Sequence, residues 1–187
     1  MKLIKAIKTA RRYLKVLRRS RRPWSPKERI TVVSPGGVAT TMLMQHIGKF
    51  CTLNSHGDTD GLKHRPEPPV LLSDDQKLLF IYGPLDKSAA SLERRGWLRI
   101  QSAKLGSVAG AYSPKAIGRT AFKHAAAKQI EKFREAERKK PKQIYCIQFD
   151  DLWEKKEELA EFLKIQDPKF VHEFPERRPR KSDVMSA

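Results

Sequence analysis

A short turn in the first third of the chain combines residue types that bind phosphate. Residues 34–41, SPGGVATT, place two glycines after a β-branched apolar run and two threonines before a helix-like segment. Glycines let backbone amides approach a phosphate, and the start of a helix adds a partial positive charge. The pattern is neither GxxxxGK[ST] nor GxGxxG, because no lysine precedes the threonines. A glycine-bearing helix start capped by threonine is the alternative.

The whole turn is therefore a candidate anion site. We expect the hydroxyls of Thr40 and Thr41 to donate to the ligand from the first turn of the following helix. We also expect a β-branched side chain at Gly37 to block the ligand's approach while the fold survives. The candidate binding residues are Pro35, Gly36, Gly37, Val38, Ala39, Thr40 and Thr41.

A polar loop rich in glycine and proline, residues 54–69, carries candidate acid–base groups. A neutral imidazole such as that of His64 accepts a proton near physiological pH, and Lys63 and Arg65 on either side supply positive charge. The alternative is that His64 is an ordinary polar loop residue. Four side chains of this loop also suggest metal ligation, but their spacing matches no recognised ligand pattern, and we predict no metal. They are His56, Asp58, Asp60 and His64.

Apolar strands alternate with helices through the central part of the chain, and these elements must position the turn and the loop. Apolar or β-branched runs predict strands at residues 29–34, 77–82 and 143–149. Helical periodicity and composition predict helices at residues 40–50, 86–95, 116–140 and 150–163. The alternation predicts an α/β three-layer sandwich with a central, mainly parallel sheet. Ligands of such sheets bind beyond the carboxyl ends of the strands, where the turn falls.

Three segments, taken in order, resemble the nucleotide-binding motifs of the sulfotransferase family. Residues 34–43 are similar to the loop that binds the 5′-phosphosulfate, and residues 79–95, LFIYGPLDKSAASLERR, to the strand, Pro-x-Asp turn and helix that hold the 3′-phosphate. Residues 145–165 resemble the family's later strand, acidic turn and helix. The resemblance covers residues 29–165 and implies a sulfotransferase and P-loop-like fold with 3′-phosphoadenosine 5′-phosphosulfate as co-substrate.

The resemblance also implies catalytic roles in the polar loop. Lys63, His64 and Arg65 precede a proline, as a lysine and a histidine do in cytosolic sulfotransferases. This similarity implies that His64 is the general base for an acceptor hydroxyl. Lys63 or Arg65 is then its electrostatic partner.

The sequence departs from the family pattern at several phosphate-binding positions. Gly37 stands at the position of the basic residue of the phosphosulfate loop, and Tyr82 stands at the position of the arginine that opens the 3′-phosphate motif. The serine of that motif falls on Ala90. We expect Lys63 or Lys87 to replace the cation lost at the turn. The expected replacements on the 3′-phosphate side are Ser91, Arg94 and Arg95.

The basic charge of the chain is concentrated at its N-terminus. The formal net charge is +18, and residues 1–22 hold ten lysines and arginines without one acid. Apolar residues recur there at helical steps, which predicts a basic amphipathic helix that binds an anionic membrane surface. A nucleic-acid arm, an oligomer contact and packing on the core are the alternatives. Nucleic acid is less favoured because only Tyr13 and Trp24 lie nearby for stacking on bases.

We therefore expect three regions in the chain. They are a basic amphipathic helix with its linker (1–28), a sulfotransferase-like α/β domain (29–170) and a basic C-terminal tail (171–187). No apolar run reaches the roughly 18 to 20 residues of a membrane span. The two cysteines provide no disulfide framework. These features predict a cytoplasmic protein that also associates peripherally with a membrane.

Two function classes follow from the motifs. The first is an enzyme that transfers a sulfuryl group from 3′-phosphoadenosine 5′-phosphosulfate to a hydroxyl of a glycan, glycolipid or other envelope component. The second is a catalytically inactive nucleotide- or anion-binding adaptor of the same fold. A basic nucleic-acid-binding protein is a third hypothesis, which the net positive charge supports less strongly. The expected partners are an adenosine nucleotide, a hydroxyl-bearing acceptor and an anionic membrane surface contacted by residues 1–22.

Overall fold

The computed structural model describes residues 28–107 and 115–177 of the chain. The predicted basic helix of residues 1–22 and residues 178–187 of the predicted tail lie outside the described residues. The described elements are β1 (Ile30–Val33), α1 (Thr40–Ile47), β2 (Lys77–Tyr82), α2 (Leu85–Arg94), α3 (Leu98–Lys104), α4 (Lys115–Lys139), β3 (Ile144–Gln148), α5 (Lys156–Leu163) and α6 (Lys169–His172). A short 3₁₀ helix, Phe149–Asp151, follows β3.

The three strands form one parallel sheet in the order β1-β2-β3. Val32 of β1 pairs with Leu79 of β2, and Phe80 of β2 pairs with Cys146 of β3. Helices fill the connections, as parallel strands require a crossover of a dozen or more residues. The predicted α/β class with a parallel sheet is thereby confirmed for the described residues.

Helices cover both faces of the sheet. Alternate strand residues such as Val32 and Leu79 pack in one buried cluster with α1, α5 and α6. On the opposite face, the ring of Phe80 stacks on Phe133 of α4, with centroids 4.2 Å apart and planes inclined by 12°. A further cluster joins α2, α3 and α4. Because both faces are buried, the strands need apolar residues at every position rather than at alternate ones.

Side chains occupy the outer edges of the sheet. Along β1, Asn54 accepts a hydrogen bond from the Val32 N–H at 2.7 Å and donates one to the Val32 carbonyl at 3.0 Å. Leu53 forms an isolated parallel bridge with Ile30 just before it. Along β3, the Cys146 N–H donates to Glu137 Oε1 of α4 at 2.6 Å. The connection after α1 thus starts by running along the free edge of β1.

Several helix boundaries differ from the sequence predictions. α1 ends at Ile47, because the N–H groups of Lys49 and Phe50 bond three residues back rather than four, to the His46 carbonyl at 3.1 Å and the Ile47 carbonyl at 3.0 Å. α3 has no counterpart in the predictions, because seven residues are too few to show a periodic pattern. The predicted helix at residues 150–163 is a 3₁₀ helix and turns followed by α5. None of the helices in the described ranges is long and apolar enough to cross a membrane.

Candidate functional site

The turn after β1 has the backbone conformation that its glycines predict. Gly36 and Gly37 have φ angles of 94° and 80°, and Ala39 has a φ angle of 48°. Side chains rarely adopt this left-handed region, so Ala39 is a strained position. The Thr40 hydroxyl donates to Ser34 Oγ at 2.8 Å inside the turn. The Thr40 hydroxyl is therefore bonded within the turn in this structure, whereas the Thr41 hydroxyl accepts from Lys63.

Both glycines of the turn lie against later helices. A Cβ atom at Gly37 would lie 2.6 Å from the Ser88 carbonyl oxygen of α2. A Cβ atom at Gly36 would lie 3.0 Å from the Gln101 side chain of α3. A β-branched residue at Gly37 is therefore expected to destabilise the fold as well as to block a ligand, because the new side chain collides with backbone and demands an unfavourable φ.

The other predicted residues of the turn divide between core and surface. Val38 is 2% exposed and belongs to the apolar cluster beneath α1, so its side chain serves packing. Pro35 is also buried, whereas Ala39 and Thr41 are exposed. The accessible part of the turn is accordingly its end at the start of α1.

Two buried polar atoms beside the turn have no hydrogen-bond partner among the described residues. They are Ser88 Oγ and Gln101 Nε2, and their residues are 0% and 2% exposed. The Gln101 nitrogen lies 3.2 Å from the position that a Cβ of Gly36 would take. A buried polar group left without a partner costs about 1–3 kcal/mol. These two atoms belong to the residues that pack against the two glycines of the turn.

Lys63 brings the cation that the turn itself lacks. Its Nζ donates to Thr41 Oγ1 at 2.8 Å and to the His56 carbonyl at 2.9 Å, and the residue is 5% exposed. The Ser34 N–H donates to the Lys63 carbonyl at 2.9 Å, which fixes the segment to the end of β1. Burial lowers the pKa of Lys63, and the neighbouring charge of Lys104 lowers it further, while Asp58 opposes the shift.

His64 is anchored to the same turn. Its Nδ1 donates to the Ser34 carbonyl at 2.8 Å, because a carbonyl oxygen only accepts. The densely packed surroundings of the ring lower the pKa of His64 to about 4. The imidazole is therefore neutral at physiological pH, and its Nε2 carries the free lone pair.

Asp58 organises the loop around Lys63. It adopts a left-handed φ of 57°, accepts the Lys63 N–H at 3.0 Å, and forms an ion pair with Lys104 of α3. The other loop residues considered for metal ligation also bond to the protein: Asp60 accepts the N–H groups of Ser55 and Leu62, and His56 Nε2 bonds to the Met44 carbonyl. No group of metal-ligating side chains is found within the described part of the chain.

Arg65 follows His64 into the protein interior. Its residue is 6% exposed, and burial lowers the pKa of its guanidinium. Gln129 of α4 donates to its carbonyl, so α4 holds the end of the loop in place.

The three residues expected on the 3′-phosphate side lie on or just after α2. Arg95 bonds back to Ser91, with its Nε 3.1 Å from the Ser91 carbonyl and Nη2 3.3 Å from the hydroxyl. Its charge contributes to the lowered pKa of Lys63, which places it on the same side of the protein. Arg94 is exposed. Of these three residues, Arg95 is the one whose charge lowers the pKa of Lys63.

Four residues of the site were not predicted from the sequence to bind the nucleotide or to act in catalysis. Ser88 lies inside the segment that resembles the 3′-phosphate motif, so the motif gave its approximate position. Asp58 lies in the loop but was considered only for a metal. Gln101 and Lys104 belong to α3, whose sequence carries no motif. The missed residues are Asp58, Ser88, Gln101 and Lys104.

Comparison with known proteins supplies no independent family assignment. No protein-family model, no curated protein and no solved structure matches this chain at a significant level.

Proposed function

We propose that the turn at residues 34–41 binds a phosphate of an adenosine nucleotide and that the protein is a sulfotransferase. In this proposal, a sulfuryl group passes from 3′-phosphoadenosine 5′-phosphosulfate to an acceptor hydroxyl. The observation that carries the proposal is the convergence of Lys63 and His64 on the two ends of the turn. Lys63 contacts Thr41, and His64 contacts Ser34.

The phosphate-binding part of the proposal rests on three sources of positive potential or hydrogen-bond donors. The start of α1 offers backbone N–H groups and a partial positive charge. Lys63 adds a full charge beside Thr41. It takes the place of the basic residue that the family's loop carries at the position of Gly37. Gln101 Nε2 adds a buried donor without a partner among the described residues. A phosphate in contact with these groups has its negative charge compensated without a metal ion.

The catalytic part of the proposal rests on the tautomer of His64. Because Nδ1 donates to Ser34, Nε2 is free to take the proton of an acceptor hydroxyl. The hydroxyl oxygen then forms a bond to sulfur, the bond between sulfur and the bridging phosphate oxygen breaks, and adenosine 3′,5′-bisphosphate leaves. Lys63 stabilises the charge that develops on the leaving phosphate. A bound anionic nucleotide raises the pKa of His64 from about 4 and makes it a stronger base.

Calorimetric titration with adenosine 3′,5′-bisphosphate tests nucleotide binding. We expect the parent protein to bind, and Lys63→Met to weaken binding about 10-fold or more through loss of a charge-assisted contact. Lys128→Met, which removes an exposed lysine of α4, is the matched control and should bind as the parent does. Absence of binding in the parent would refute the nucleotide proposal.

Transfer of radiolabelled sulfate to candidate hydroxyl acceptors tests the chemistry. His64→Asn keeps a donor for the Ser34 carbonyl but removes the base, so we expect turnover to fall on the order of 10²-fold with bisphosphate affinity unchanged. Equal turnover in the variant and the parent would exclude His64 as the base. Bisphosphate binding without turnover on any acceptor would favour the adaptor alternative.

A further inference from the structure

A second basic site lies at the opposite end of the sheet. A groove of about 870 Å³ opens at the amino ends of β2 and β3. Ile30 of β1 pairs with Lys77, and β1 runs for four residues at roughly 3.3 Å each before the glycine turn, so roughly 13 Å of strand separates the groove from that turn. Its five lysines are Lys77, Lys139, Lys140, Lys142 and Lys164.

Lys77 is the buried member of this group. Its residue is 8% exposed, its Nζ donates to the Lys142 carbonyl, and the ammonium lies 5.2 Å from the centroid of the Phe162 ring. No carboxylate forms an ion pair with it among the described residues. Burial lowers the pKa of Lys77, and the charges of Lys164, Arg29 and Lys142 lower it further. A buried ammonium surrounded by like charges is costly unless an anion completes the site.

Lys164 occupies a strained position at the rim of the groove. It ends α5 with a left-handed φ of 55°, a conformation that glycine adopts at lower cost after a helix. Neither Lys164 nor Lys142 forms an ion pair within the described ranges. Lys139 and Lys140 are engaged elsewhere, with Glu135 and with the Val70 carbonyl. The groove is thus lined by a lysine at a position where the backbone conformation favours glycine.

The remaining polar lining leaves the groove net positive. Its acids are Asp74, Glu158 and Glu161, against five lysines, and Glu158 lies 3.6 Å from Lys155, the residue that precedes α5. The hydroxyl of Tyr145 is buried and lies beside the Glu158 carboxylate, and burial together with that negative charge raises the pKa of the phenol.

We propose that this groove is a binding site for a small molecule that carries a doubly charged phosphate group, held by Lys77, Lys142 and Lys164. Lysine ammonium groups act as compact point charges and suit phosphate oxygens without a fixed approach geometry. A dianion offsets the mutual repulsion of three ammonium groups more fully than a singly charged ligand does. The site is separate from the proposed nucleotide site and stands independently of it.

Two substitutions test the proposal with inorganic pyrophosphate as the probe. Lys164→Gly removes a charge and relieves the backbone strain, so we expect a higher melting temperature in the free protein and about 10-fold weaker pyrophosphate binding. Lys142→Met is expected to weaken binding by a similar factor without that gain in melting temperature. Lys128→Met serves as the control and retains the parental affinity.

Isothermal titration and thermal unfolding at constant ionic strength provide the measurements. Pyrophosphate should raise the melting temperature of the parent, and sodium chloride at matched ionic strength should not. Parental affinity in both Lys164→Gly and Lys142→Met would overturn the proposal. Loss of pyrophosphate binding in Lys63→Met, with full binding in Lys164→Gly, would assign the anion to the glycine turn and also overturn it.

Discussion

Acidification tests whether His64 is held neutral in the folded protein. Its pKa of about 4 lies below the ordinary value of 6.5, so the unfolded chain binds a proton in a pH range where the folded protein does not. The stability that depends on neutral His64 is fully present above about pH 6.5. It is lost progressively as the pH falls towards 4.

The size of the effect follows from the two pKa values. Between pH 7 and pH 5, the difference in proton binding at this one site lowers the free energy of unfolding by about 2 kcal/mol. Below pH 4 both states are protonated, and the loss stops growing. A nucleotide phosphate bound near His64 would raise its folded pKa and reduce this loss.

Urea denaturation followed by circular dichroism at pH 7 and pH 5 measures the loss. In His64→Asn, the amide still donates to Ser34 but does not titrate, so we expect the drop in stability to be smaller by about 2 kcal/mol. His124→Asn changes an exposed histidine and should behave as the parent does. Equal acid sensitivity of the parent and His64→Asn would refute the assignment of a depressed pKa to His64.

Two further predictions concern the turn and the N-terminus. Gly37→Val forces a side chain against the Ser88 carbonyl at a φ angle that valine disfavours. It should therefore lower the free energy of unfolding by more than about 2 kcal/mol in urea denaturation. An unchanged free energy of unfolding would show that α2 moves away from the turn at little cost. Deletion of residues 1–22 should abolish sedimentation with anionic liposomes while bisphosphate binding persists; unfolding of the shortened protein would show instead that the apolar stripe packs on the core.

Local sequence was sufficient to predict the strands and the turn. The predicted strand at residues 77–82 has the same bounds as β2, because a strand buried on both faces is mostly apolar, and Lys77 at its start is the exception. Gly36 and Gly37 predicted a tight turn, and both adopt positive φ angles. Local sequence does not show what the glycines face. The contacts with Ser88 and Gln101 arise only when α2 and α3 pack on the turn.

The composition of the candidate site was less predictable than the fold. The pairing of Lys63 and His64 with the turn was suggested by a family resemblance, since no local pattern shows where a long loop returns. The ion pair between Asp58 and Lys104 joins residues 46 positions apart, and its partners carry no common motif. A carboxylate that holds a backbone N–H and an ammonium at once is a tertiary feature, and only the folded chain shows it.

The hydrogen bonds at the two sheet edges affect how the protein associates with other chains. An open strand edge is a template for pairing with a neighbouring chain, and an apolar strand such as β1 is especially prone to it. Asn54 satisfies both backbone groups of Val32, and Glu137 occupies the N–H of Cys146. Among the described residues, neither edge therefore presents an uninterrupted ladder, and the backbone at Leu53 adds to the protection that Asn54 and Glu137 give against edge-to-edge aggregation.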